Sequence, residues 1–167
     1  MSTNLKKDIK VYNKHVAFWG SPFSNFYPCS FEKDGVQWCT SEQYFMAQKA
    51  KAFKDDEVYE RILKSTNPKE QKDLGRQVRN FDAEEWAKIS FDAMHEGVYA
   101  KFSQNEELKN LLLDKDFEGK GFVEGSPFDD IWGVKIDWRN EEVDDETKWK
   151  GKNLLGKVLD KVREELK

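Results

Sequence analysis

Thr40-Ser41-Glu42-Gln43-Tyr44-Phe45-Met46-Ala47-Gln48-Lys49 places two opposite charges on what the spacing marks as the apolar face of a helix. Thr40 followed three residues later by Gln43 is a capping box, which starts the helix and lets its register be counted. From that start, positions 42, 45, 46, 49, 52 and 53 share one stripe, occupied by Glu, Phe, Met, Lys, Ala and Phe. Glu42 and Lys49 therefore belong to the side expected to be buried. At 1.5 Å rise per residue their Cα atoms are roughly 10 Å apart, too far for an ideal helix ion pair and suited to flanking a bound group. Desolvation beside a cavity shifts the pKa of such groups, as acid/base or Schiff-base chemistry requires. The purely structural alternative has Glu42 answering the helix dipole while Lys49 lifts its ammonium into water.

A chain of 167 residues is long enough for one domain with a real core and short for two. Hydrophobic content is low at 38% and charged content high at 36%, yet 12 Phe, 6 Trp and 5 Tyr supply large areas to bury, so the core should be aromatic-rich. A net charge of -4 argues against a grip on nucleic acid through backbone neutralisation alone, while leaving room for a local basic pocket. The first ten residues carry no apolar h-region, and no apolar run reaches membrane-spanning length. A soluble, cytoplasmic protein is therefore expected. Cys29 and Cys39 bracket a hairpin and are expected as reduced thiols in an unexported chain. His15 and His95 stand 80 residues apart, outside any ligand-spaced cluster, so no metal site and no Ser-His-Asp triad is expected.

Residues 11–18 are strand-like, and Gly20, Pro22 and Pro28 punctuate a loop. Residues 30–38 turn back through Lys33-Asp34-Gly35 as a hairpin. Beyond it the pattern is helical. Asn67-Pro68 caps and opens a short helix closing near Gly75. Asp82 with Glu85 starts a long helix over 83–103, with Trp86, Ile89, Ala93, Val98 and Phe102 as core contacts. A shorter helix follows over 106–114. A strand-like Gly121-Phe122-Val123-Glu124 runs into a Gly/Pro loop through Trp132-Gly133. The acidic run 141–146 is expected as a solvated excursion, and an amphipathic helix closes the chain from Asn153. The expectation is a mainly α fold with a minor β hairpin: a polar extension over 1–10 and a single multihelical domain over 11–167.

Ser24-Asn25-Phe26, the segment from Thr40 to Lys49, Leu74-Gly75-Arg76, Lys101-Phe102, Val123-Glu124-Gly125-Ser126-Pro127 through Trp132-Gly133, and Trp149-Lys150-Gly151-Lys152-Asn153-Leu154-Leu155-Gly156 together resemble the NADAR, or YbiA-like, family. Six segments match in order and spacing from about Phe18 to the C-terminus. The resemblance implies a multihelical YbiA-like domain and an N-glycosidase acting on ribosylated amines. Its members are described as hydrolysing ribosylamino-pyrimidine phosphate intermediates of riboflavin synthesis, or as removing ADP-ribose from modified guanine in DNA or RNA. Where the family usually has His after the Glu, this sequence has Gln43. That side chain points about 100° away from Glu42 and is expected to cap the helix. The stretch 135–148 is placed to reshape substrate entry.

Cleavage of a ribosyl–amine bond can run through an oxocarbenium-like state between carboxylates, with Glu42, Glu124 and Asp129 as candidates. Alternatively the riboside opens to an imine and a lysine of depressed pKa exchanges in, the candidate being Lys49. Glu124 can equally be a strand-end surface group and Asp129 a turn former. Trp132 is the candidate stacking platform and Trp86 a pocket wall. Arg76 and Lys101 are candidates for phosphate contacts, and Asn25 and Asn153 for ribose hydroxyls or for holding backbone. This chemistry requires no cofactor. Gly119-Lys120-Gly121 lacks the context of a phosphate loop, which disfavours nucleotide hydrolysis. The reading is an N-glycosidase working through Lys49 and Glu42 on ADP-ribosylated guanine, with ribosylamino-pyrimidine phosphate hydrolysis as the enzymatic alternative and a non-catalytic ADP-ribose-binding module as the alternative of another class.

Overall fold

The computed structural model describes residues 4–167, which form two compact units, residues up to Ser24 with Glu106–Lys167, and Asn25–Asn105. Residues 1–3 of the expected polar extension lie outside the described residues. Its last two join a strand, β1 (Ile9–Val11).

In the first unit β1 turns back into β2 (His15–Phe18), so the single strand expected over 11–18 is an antiparallel hairpin. The break falls where Tyr12-Asn13-Lys14 must reverse the chain, and Tyr12 N–H bonds the His15 carbonyl at 2.8 Å. A third strand, β3 (Gly121–Glu124), runs parallel to β2 with Phe18 opposite Glu124. Every residue of β2 is buried, as a strand paired on both edges and covered on its faces requires. Phe23 meets Phe18, Phe117 and Phe122 at ring-centroid distances of 5.5, 6.0 and 4.8 Å, the aromatic core that composition foreshadowed. The helix Glu106–Leu112 packs on the closing helix Leu154–Leu166. The closing helix lies on β3 and buries Leu155, Val158, Leu159 and Val162, each contributing roughly 1.5–3 kcal/mol.

The acidic run corrects an expectation. Glu141, Glu142, Asp145 and Glu146 are exposed as expected, but residues Glu141–Asp144 and Glu146–Lys148 form two 3-10 turns, and Val143 is fully buried against Ala17, Val123, Val134 and Ile136. Asp144 and Glu146 reach the two ring nitrogens of buried His15 at 3.1 and 3.2 Å. A buried imidazole needs partners for both nitrogens, and these carboxylates supply them.

The second unit carries the expected hairpin, β4 (Phe31–Lys33) and β5 (Val36–Trp38), turning through Asp34 and Gly35, both at positive φ. Four helices follow: α1 (Ser41–Ala52), α2 (Asp56–Lys64), α3 (Pro68–Arg76) and α4 (Ala83–Ser103). Thr40 caps α1, accepting Gln43 N–H at 2.9 Å, and Asn67, Asp55 and Asp82 cap the others. α1 packs against all three of its neighbours, so its burial exceeds a single stripe: Tyr44, Ala47 and Ala50 are buried outside it, while Ala52, inside it, is exposed. Gly97 accepts the Tyr44 ring and Gly75 the Met46 thioether where a Cβ would collide. In α4 Trp86 packs on Phe45 as expected, but the next expected core contact fails. Ile89 is exposed, and burial starts at Ser90 and Met94, because only the C-terminal half of this 21-residue helix is well covered.

Candidate active site

The N-terminal turn of α1 is tied down from several directions. Asn25 accepts Glu42 N–H on its carbonyl at 3.1 Å, and its side-chain Oδ1 accepts the Ser41 hydroxyl at 2.8 Å. Gln43 uses its whole amide: Oε1 accepts Cys39 N–H at 2.9 Å, and Nε2 donates to the carbonyls of Ile62, Leu63 and Ser65. Gln43 is thus a structural clamp between α1 and the end of α2, matching its expected capping role. Asn25 likewise holds the start of α1, its Nδ2 lying 3.3 Å from the Met94 sulfur.

These anchors fix Glu42, which is buried at 7% exposure. Lys49 is half-buried two turns on. Burial pushes its amine below the ordinary lysine range, the Glu42 carboxylate acts in the opposite sense, and the Arg76 guanidinium lowers it further. The Nζ sits 4.3 Å from the centre of the Phe81 ring. Phe81 itself meets Phe53, and Trp86 meets Phe45 and Phe53 at 5.2 and 6.4 Å, making an aromatic wall along this side of α1. Arg76 is exposed and pairs with Asp73 at 3.2 Å. Phe81 had no signal in the sequence, since it lies in the short link before α4 and only folding brings it to α1.

Lys101 is placed differently. It is 1% exposed, with its Nζ 5.8 and 5.1 Å from the Tyr27 and Phe102 ring centres. Burial holds its pKa down at about 8, with the Cys29 thiol pulling modestly upward. Burial raises the Cys29 thiol, and both cysteines are free.

The first unit carries the other candidates. Glu124 ends β3, its N–H bonded to Asn153 Oδ1 at 3.0 Å and its carbonyl accepting Val134 N–H. Asn153, at φ 54°, spends its amide on the strand, with Nδ2 donating to the Phe122 carbonyl at 2.9 Å. Its side chain is therefore a brace between the closing helix and β3, the backbone-holding role foreseen for it. Asp129 accepts the N–H groups of Ile131 and Trp132, both at 2.9 Å, on Oδ1, the turn-forming geometry foreseen as its alternative role. Trp132 is half-buried in the loop that Asp129 folds. The structure thus groups Glu42, Lys49, Arg76 and Asn25 with the Trp86 wall in one unit, and Glu124, Asn153, Asp129 and Trp132 in the other. Lys101 lies beside the Tyr27 and Phe102 rings and the Cys29 thiol. Among the described residues no group of His, Cys, Asp and Glu could hold a metal ion, and no helix is long and apolar enough to cross a membrane.

The fold is a small, mainly helical domain with two minor sheets, and comparison with known proteins names its class. The NADAR domain model matches residues 12–167, spanning both units, and the chain belongs to that family. It is 41% identical to N-glycosidase R617 of Acanthamoeba polyphaga mimivirus, over 92% of this chain and 96% of that protein. It is 35% identical to a riboflavin biosynthesis protein of Vibrio vulnificus, over 86% of this chain and 35% of that longer protein. The NMR structure of the Escherichia coli protein YbiA superposes with a TM-score of 0.75 at 29% identity, covering 97% of this chain and 90% of that one. The chain is accordingly an enzyme, a hydrolase acting on N-glycosyl bonds.

Proposed function

We propose that this enzyme removes ADP-ribose from modified guanine in nucleic acid, with Lys49 as nucleophile and Glu42 as proton carrier. The observation that carries the reading is the Lys49 amine itself. It is half-buried, biased toward its neutral form by burial and by Arg76, and electrostatically coupled to a buried carboxylate on the same helix.

The chemistry follows from the substrate bond. A riboside of an exocyclic amine opens to a protonated imine at C1. The neutral Lys49 Nζ adds to C1, forming a C–N bond, and loses a proton to Glu42. Glu42 returns that proton to the base nitrogen, the C1–N bond to the base breaks, and the free base leaves. Lys49 then holds the sugar as an imine until water adds to C1, the C1–Nζ bond breaks, and the aldehyde closes to free ADP-ribose. One water is consumed and no redox change occurs. Trp132 is assigned to stacking on the base and Arg76 to phosphate. Glu124 and Asp129 are assigned as carboxylates supporting charge at the reacting centre, Asp129 with one oxygen committed to its turn. Lys101, Asn25, Asn153 and Trp86 take supporting roles in binding and positioning.

The relative named for riboflavin biosynthesis favours a second reading, hydrolysis of a ribosylamino-pyrimidine phosphate. Parallel incubation with DNA carrying ADP-ribosylated guanine and with ribosylamino-pyrimidine phosphate separates the two. Release of unmodified guanine in the strand at a kcat/KM at least tenfold above that for the pyrimidine supports the first reading, and the reverse ratio supports the second.

A further inference from the structure

The loop that holds Trp132 displays a second aromatic feature that the reaction does not use. Phe128 is 77% exposed and Ile131 49%, an unusual display for side chains of their size. The backbone that carries them is held in place. Ser126 Oγ accepts the N–H groups of Phe128 and Asp129, both at 3.2 Å, and Asp129 holds the next two. Trp19, at the end of β2, sits with its ring 5.8 Å from that of Phe128, itself 38% exposed. Beside them runs the strap Lys150-Gly151-Lys152. Lys150 N–H bonds the Val134 carbonyl at 3.0 Å, and Lys152 N–H bonds the Asp130 carbonyl at 2.9 Å. Gly151 lies so close to the Gly133 carbonyl and Asp130 that a Cβ there would collide, so the backbone of this strap is held against the loop with Lys150 and Lys152 exposed on either side of Gly151.

We propose that Phe128 and Trp19, flanked by Lys150 and Lys152, form a subsite that stacks an unpaired base adjacent to the modified one in single-stranded nucleic acid. The inference rests on the proposed nucleic-acid substrate and deepens it by saying how the strand beyond the modified base is held. Exposed rings accept any base by its π-face, and two lysines on the adjoining strap suit the phosphates that link successive bases. Three apolar side chains fall far short of the 20–30 residues a side of a standard protein interface, which argues against a protein partner. Asp130 on the same loop partly offsets the two lysines, and the whole chain carries -4, so stacking rather than phosphate neutralisation must carry the binding.

The test uses a fluorescein-labelled, unmodified oligo-dT decamer and anisotropy titrations across salt. This probe contains no bond to cleave, so a failure of the catalytic reading leaves the result interpretable. Wild-type protein should bind, Phe128→Ala should weaken binding about tenfold, the loss of one base stack, and Phe128→Trp should restore it. The salt slope should be shallow, about -1.4 for two phosphate contacts, and should flatten in Lys150→Gln with Lys152→Gln. Thermal unfolding of each variant reports folding separately. Absence of binding by the wild type, or equal binding by Phe128→Ala, overturns the subsite. So does a strand-independent dimer that Phe128→Ala abolishes, which would assign the patch to self-association. An enzyme that cleaves the modified nucleoside and the same nucleoside within a decamer equally well removes the subsite while leaving the catalytic reading standing.

Discussion

At the residue scale the account turns on how burial and two charges set one amine. Burial lowers the Lys49 pKa, Arg76 lowers it further and Glu42 opposes both. A reaction that needs the neutral amine then gains rate as pH rises through the Lys49 pKa, giving the alkaline-rising limb of the kcat/KM profile. Arg76→Ala removes a repelling cation, so the Lys49 pKa rises and that limb moves to higher pH. An unmoved limb would detach Arg76 from the site. Arg76 is largely exposed, so the displacement should shrink with added salt. Glu42→Gln should lower kcat by about 100-fold or more, the scale of a lost proton carrier, with the thermal midpoint nearly unchanged. Turnover within threefold of wild type would take Glu42 out of the mechanism.

At the element scale α1 is a platform whose register is held at its first turn. Gln43 satisfies Cys39 N–H and several carbonyls at the end of α2, so Gln43→Ala leaves buried backbone groups without partners. The expected cost is about 1–3 kcal/mol, read as a lower melting temperature in calorimetry. A neutral Gln43→Ala would mean water replaces the clamp. Much of this was legible in the sequence. The capping box started α1 at the observed residue, Asp82 with Glu85 bounded α4 at 83–103, and Asp34-Gly35 turned the hairpin, because each signal is a local backbone requirement. Burial was less legible. The periodicity of α1 could not show that three helices would surround it, and the acidity of 141–146 concealed Val143 and the carboxylates that serve His15. Among candidate site residues, the burial of Glu42 followed from the helix count. The deep placement of Lys101 and the Phe81 ring over Lys49 depend on contacts distant in sequence, which no spacing rule encodes.

At the scale of the whole molecule, burying Lys101 leaves a signature on stability. The folded chain releases this proton near pH 8, whereas the unfolded chain keeps it to about 10.5. Between pH 8 and 9 the unfolded state therefore binds more protons, and stability rises with pH by at most about 1.4 kcal/mol per unit. The Cys29 thiol, pushed up by burial, acts in the opposite sense only as pH approaches 9. Denaturant titrations at pH 7, 8 and 9 should show this rise, and Lys101→Met should flatten it; an unchanged slope in that variant would mean the ammonium is retained when folded. One buried lysine and one half-buried lysine also make the central claim directly decidable. Borohydride added during turnover reduces an imine to a stable amine, and the mass of the intact chain followed by peptide mapping locates it. The account predicts substrate-dependent inactivation with a sugar-sized increase on the peptide carrying Lys49, and loss of both adduct and turnover in Lys49→Arg, whose guanidinium keeps the charge and forms no imine. Full activity in Lys49→Arg, or a substrate-dependent adduct on Lys101 instead, would contradict it.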